Sequence, residues 1–279
     1  MEAGIEHAVS DTILADSGCP PRKKGEMNFG DEVAVKVLLS TFIVFDILAC
    51  ASTRSTPSLE LDHKVVLNAL AMDLERLFGY ATWLLVLLLE VVLLDNWKKE
   101  AEKDRKLSMV ELVQRGAKIE SLLQQKLRDL DATFPLGSHQ LENSGTTSTD
   151  FTATQTEITR IFALSVLTYL HVVVSGPYPN LPEITESVSK TIIAFERLSD
   201  VKVIRYLVWP FCVSGCLALE GQQNFFRDLA SRVKIINSTL RTFPEAYKII
   251  EECYETRKAC SYCDWASVVN EQGYDILLM

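Results

Sequence analysis

Residues 81–100 read ATWLLVLLLEVVLLDNWKKE, an apolar run that passes without a break into charge. A stretch of this kind is either a membrane span or the dry centre of a helical core. A span needs about 20 predominantly apolar residues. The run from Ala81 to Leu94 is shorter and carries Glu90, and an acidic side chain near the bilayer centre adds roughly 2.5–3.5 kcal/mol on the insertion scale. Neither Pro nor Gly separates it from DNWKKEAEKDRK, which is rich in helix formers. The pattern predicts one long helix, buried over its first half and solvated over its second. A membrane-associated helix over 77–94 is the rival reading.

The flanking sequence repeats the helical theme. DEVAVKVLLSTFIVFDILACAS reads as a helix that opens on Asp31, and TRSTPS as the loop after it. Leu67, Leu70, Leu74 and Leu77 recur at spacings of three and four, one apolar stripe that Gly79 is placed to stop. Leu112, Ile119, Leu122, Leu123 and Leu127 form a second stripe. PLGSHQLENSGTTSTD is the clearest interruption, so 135–153 is expected as a surface loop, with Thr154 and Glu157 as a capping box for the helix beyond. Pro182 suits a first helical position. VKVIRYLVWPFCVSGCLALEG is expected to be helical with a kink at Pro210, and the apolar chain end is expected to dock into the core. No period-2 run bounded by hairpin turns competes. The fold class is therefore all-α, a single multi-helix bundle of about nine or ten helices over 31–279, behind a flexible tail over 1–30.

The formal net charge of −9 argues against a chain that grips nucleic acid over its whole surface. The basic cluster Arg22, Lys23 and Lys24 is short and reads as part of a solvated tail. Seven cysteines and no apolar leader at the start point to a reducing compartment. Cys253, Cys260 and Cys263 are spaced C-x6-C-x2-C, which raises a zinc site, but a closed site needs a fourth ligand and no His stands near. Cys212 and Cys216, beside Trp209 and Phe211, read as small core residues.

No P-loop, GxGxxG or HExxH motif is present, and no Ser/His/Asp or Cys/His set assembles from the sequence. Neither a catalytic residue, a metal nor a cofactor is expected. Four residues in apolar helical surroundings are the candidates to line a pocket: His171, Tyr169, Asp46 and Glu90. Each acid has a plainer reading, in which it faces the one wet or hydrogen-bonded side of its helix.

The order of segments carries more than any one of them. FIVFDILACAS is followed by GYATWLLVLLLEVVLLDNWKKE and ELVQRGAKIESLLQQKL. Then come IFALSVLTYLHVVVSGPYPNLPEI, LVWPFCVSGCLALEGQQNFF and a closing DWASVVNEQGYDILLM. This succession resembles the fungal-specific transcription factor domain from about residue 30 to the end. Its most specific pieces are Trp209-Pro210 with Gly215-Cys216, and Asp264-Trp265 with Leu277-Leu278.

The resemblance implies a water-facing helical bundle and a regulatory or dimerisation role in the nucleus, with the cytoplasm as the alternative. Domains of this family often serve secondary-metabolite gene clusters. The family also implies an N-terminal module in which six cysteines hold two zinc ions. The first 60 residues here hold only Cys19 and Cys50, so direct DNA reading is not expected of these residues. Protein contacts are expected instead, with a second copy or with a full-length zinc-cluster activator, and a small-molecule effector is an option. The alternative reading is a biosynthetic tailoring enzyme or small-molecule-binding protein that reuses the helical core.

Overall fold

The computed structural model describes residues 29–59, 61–133, 147–198, 200–236, 242–260 and 262–272. Most of the tail over 1–30 and the apolar chain end lie outside them, as do 135–146 of the loop expected over 135–153. The described residues are mostly helical and hold no strand. In chain order the helices are α1 (Phe29–Thr53), α2 (His63–Ala69), α3 (Ala71–Phe78), α4 (Thr82–Lys103), α5 (Met109–Thr133) and α6 (Thr147–Ser175). They continue as α7 (Pro182–Glu196), a 3-10 turn (Val201–Tyr206), α8 (Val208–Cys216), α9 (Glu220–Ile236), α10 (Thr242–Ala259) and α11 (Trp265–Gln272). Taking α2 and α3 as one broken helix gives ten, in line with the sequence.

Residues 29–37 are the first turns of α1, where Lys36 and Glu32 pair at 2.8 Å across one turn. The described residues from Leu38 onward form the bundle. Its axis is α6, which packs against α4, α5, α7 and α8, while α10 rests on α8, α9 and α11. From Ile158 to Val173 every residue of this helix is buried, which accounts for its apolar residues on every side. Its internal hydroxyls are answered locally. Ser165 meets Ser214 of α8 at 3.1 Å, and Thr168 meets Ser187 of α7 at 2.9 Å. A chain of rings runs through the same core. Tyr80 meets Phe162 at 4.9 Å between centroids, Phe162 stacks on Trp209 at 5.7 Å, and Tyr169 sets its edge toward Trp209 at 6.3 Å and Trp265 at 5.4 Å. Each such pair adds about 0.5–1.5 kcal/mol beyond the area it buries.

The run that posed the membrane question is α4. Ten of its residues, from Thr82 to Asp95, are buried, and its charged second half faces solvent. Among the described residues two helices are long and apolar enough to cross a membrane, Glu32–Thr53 and Ala153–Ser175, and α4 is not one of them. The second of these is 89 % buried inside the bundle.

Local details depart from the sequence reading in several places. Leu70 closes α2 and opens α3, so the single stripe is carried by two short helices; Gly79 then ends α3 in the left-handed region at φ 74°. Pro210 makes no kink. The break falls at Leu207 (φ −118°, ψ 24°), which places Pro210 in the first turn of α8, where its missing N–H is not needed. Thr154 and Glu157 do not open a helix, because α6 begins at Thr147 and takes up the last residues of the expected loop. Leu122 leaves its stripe and is 55 % exposed.

The helices approach closely where glycine allows it. A Cβ on Gly215 would lie 2.5 Å from Ile250 Cδ1 of α10, and one on Gly116 2.7 Å from Val174 Cγ2 of α6.

Candidate functional site

The end of α1 is where distant parts of the chain converge. Arg54 follows its last turn with φ 54°, a left-handed conformation that a non-glycine residue holds only when its surroundings fix it. That turn sends the guanidinium into the bundle. Its Nε donates to Asp95 Oδ2 at 2.9 Å and its Nη2 to Asp95 Oδ1 at 2.6 Å, a two-point grip on α4. Its Nη1 reaches Asp264 Oδ2 at 2.5 Å. Tyr169 of α6 donates its hydroxyl to Asp95 Oδ2 at 3.1 Å, and Lys99 approaches the same oxygen at 3.0 Å. Two carboxylates thus meet two cations, with both acids almost wholly buried.

Backbone groups complete the arrangement. Asp264 Oδ1 accepts from the N–H of Ser267 at 2.8 Å and from its hydroxyl at 2.9 Å, capping α11. The last carbonyls of α1 lack helical donors. They are met by Trp265 Nε1 on Ala51 O at 3.0 Å and Asn270 Nδ2 on Thr53 O at 3.4 Å, and just beyond the helix Lys99 Nζ donates to Arg54 O. The hub therefore ties α1, α4, α6 and α11 together at one point.

Its electrostatics suit holding rather than chemistry. Burial alone would raise the Asp95 carboxyl, but the hydrogen bonds and charge of Arg54, with Lys99, outweigh it and hold Asp95 below the usual range. Burial likewise opposes the Arg54 cation, and Asp95 and Asp264 overcome it. The Tyr169 hydroxyl is pushed well up by burial and then by the Asp95 charge. A buried phenol held in its neutral form is a hydrogen-bond donor, not a base.

The four residues singled out in the sequence occupy four separate places. Tyr169 belongs to the hub. Asp46 accepts from the backbone N–H groups of Ser58 at 2.9 Å and Leu59 at 3.2 Å, and meets His63 Nε2 at 2.8 Å. Burial raises its carboxyl, and these hydrogen bonds together bring it below its ordinary value. It borders an open hollow of about 260 Å³ with Phe42, Phe45, Ala49 and Leu59. Glu90 pairs with Lys64 at 2.5 Å. It lies on a larger groove of about 520 Å³ between α4 and α5, floored by Val86, Leu87, Leu94 and Ile119 and edged by Arg115 and Lys118. His171 is buried with Nε2 at 3.5 Å from Glu120, and its Nδ1 has no hydrogen-bond partner among the described residues.

Sequence reasoning passed over Arg54, Asp95 and Lys99. Arg54 sits in a polar loop and Asp95 at the charged exit of a helix, and local pattern carries no sign that they meet. Asp264 was marked only through the Asp264-Trp265 piece of the resemblance.

The cysteines also regroup. Cys253 and Cys263 lie 3.6 Å apart between sulfurs; Cys216 joins Cys253, and Cys212 joins Cys216, all buried, while Cys260 stands exposed. Among the described residues no three His, Cys, Asp or Glu side chains converge as a metal site. The C-x6-C-x2-C spacing is thus divided in the fold, with Cys253 and Cys263 buried together and Cys260 at the surface.

Comparison with known proteins gives a consistent picture. The fungal specific transcription factor domain matches residues 11–279. The trichothecene biosynthesis transcription regulator of Trichoderma arundinaceum is 34 % identical over 88 % of this chain and 54 % of its own length. Its counterpart in Fusarium sporotrichioides is 30 % identical over the same shares, 88 % and 54 %. The ustiloxin B cluster transcription factor of Aspergillus flavus is 29 % identical over 84 % of this chain and 41 % of its own length. The chain thus spans about half the length of the curated relatives it matches. No solved structure matches it. On the extent of the domain match, and on a relative 34 % identical, the chain belongs to the fungal-specific transcription factor domain family.

Proposed function

We propose that this chain is the regulatory region of a transcription regulator that governs a fungal secondary-metabolite gene cluster and acts in the nucleus through protein contacts. The observation that carries the reading is the domain match over residues 11–279, together with relatives named for trichothecene biosynthesis and for the ustiloxin B cluster. The family's most specific pieces, Trp209-Pro210 and Asp264-Trp265, supply the inner rings and the anchor of the hub. Its partner is a second copy or a full-length zinc-cluster activator.

Deleting the gene and measuring transcripts of its neighbouring biosynthetic genes tests this. Transcripts that fall on deletion and return with the wild-type gene support it; unchanged transcripts refute it. A fluorescent fusion that stays in the cytoplasm would refute the nuclear assignment.

The groove between α4 and α5 favours a second reading, an effector site. An apolar floor with Arg115 and Lys118 at the edge suits a small amphipathic acid. Such a ligand would raise the unfolding temperature of the wild-type chain and not that of Leu122→Glu. The catalytic alternative has no shared centre to rest on, since Tyr169, His171, Asp46 and Glu90 stand apart.

A further inference from the structure

We propose that Cys253 and Cys263 are a thiol oxidation site, in which an oxidant of the hydroperoxide class joins them in a disulfide that fastens the start of α11 to α10. Their sulfurs lie 3.6 Å apart, so closing to the roughly 2.05 Å of an S–S bond asks for a shift of about 1.5 Å. The neighbouring thiol contact, Cys216 with Cys253, joins two packed helices, α8 and α10, and both of its backbones are held in helical hydrogen bonding. Cys263 differs: it stands on the non-helical stretch between α10 and α11, next to the exposed Tyr262. It is the member of the cluster that can travel.

The hub sets when it does so. Cys263 is buried and immediately precedes Asp264 and Trp265, whose bonds to Arg54 and Ala51 hold this stretch down. Hydrogen bonding to Cys253 and then burial push the Cys263 thiol far up, so the closed form keeps it protonated and unreactive. When residues 262–265 lift, the Cys263 sulfur loses its proton to water and attacks the hydroperoxide. An S–O bond forms, the O–O bond breaks, and the leaving oxygen departs protonated as water or alcohol. The Cys253 sulfur then attacks this sulfenic sulfur. The S–S bond forms, the S–O bond breaks, and hydroxide leaves as water with the Cys253 proton. Two thiols lose two electrons and two protons, and the peroxide is reduced. A thiol reductant reverses the sequence.

The test uses the whole reduced chain, hydrogen peroxide and tryptic mapping without reductant. The expected product links the fragment 249–257, holding Cys253, to the fragment 259–279, holding both Cys260 and Cys263, with loss of two hydrogens, and backbone fragmentation of the linked peptide between residues 260 and 263 places the bond on Cys263. It persists in Cys260→Ser, is absent in Cys263→Ser, and disappears on reduction. It forms about tenfold faster in Asp264→Asn, which removes the Arg54 ion pair and populates the lifted form. The wild-type map stands even if a cysteine variant fails to fold. A link to Cys260, a link to the fragment carrying Cys216, or a Cys253 that stays reduced throughout would overturn the proposal. An Asp264→Asn rate equal to wild type would overturn the role of the hub.

Discussion

Asp95 shows how much one side chain can be asked to satisfy. Its two oxygens serve Arg54, Lys99 and Tyr169 from a carboxylate that is itself almost wholly buried. Removing one partner of such a group leaves the others charged and unmatched. Asp95→Asn is therefore expected to cost about 3–5 kcal/mol in urea unfolding at neutral pH, and Tyr169→Phe about 1 kcal/mol. Because Asp95 is held below its unfolded value, its contribution is complete above about pH 4 and fades as the pH falls through the lower folded value. The stability difference between wild type and Asp95→Asn should shrink over that acid range; a difference that stays constant would show that the carboxylate's charge is not what stabilises the hub. Gly215 makes the opposite point, since what counts there is an absence. Gly215→Ala pushes a methyl group against Ile250 and is expected to cost about 1–3 kcal/mol. Ile250→Val removes the opposing Cδ1, so the double variant should recover part of that loss, read as a coupling energy.

At the level of helices, the sequence was legible wherever a long apolar period met an ordinary stop. α4, the Gly79 ending and the Pro182 opening of α7 followed from length, charge and backbone restriction alone. What it could not give were choices made by tertiary contact. The stripe through Leu67 and Leu74 continues in pattern to Leu77, yet Leu77 is 45 % exposed, because α3 meets the bundle over only part of its turn. Pro210 misled for a related reason: its neighbours read as one helix, and the break at Leu207 shows only in the backbone. A proline inside a helix gives a gain of up to about 3 kcal/mol when replaced by alanine, whereas one in a first turn gives none. Pro210→Ala is accordingly expected to lose about 1–2 kcal/mol through the ring contacts it gives up, with helicity by circular dichroism unchanged. A gain in stability would restore the kink.

For the molecule as a whole, class and family were readable and the hub was not. Bundle architecture follows from many weak, local signals that agree. The hub depends on four ionic residues at positions 54, 95, 99 and 264, each unremarkable in its own neighbourhood. The same separation predicts how the molecule fails. A chain ending at residue 263 loses Asp264 and the fully buried Trp265 together, and leaves Arg54 with half its carboxylate partners. It is expected to lose its cooperative unfolding transition and to bind a dye that reports exposed apolar surface; a sharp transition near that of the full chain would show the hub to be dispensable.

The pairing of Arg54 with Asp264 spans 210 positions. A ribosome adding about 5–20 residues per second needs roughly ten to forty seconds to lay down that distance. Throughout that interval the nascent chain carries an unmatched cation and an open seat for Trp265, so during synthesis this protein should be a client for chaperones that shield unfinished apolar surface.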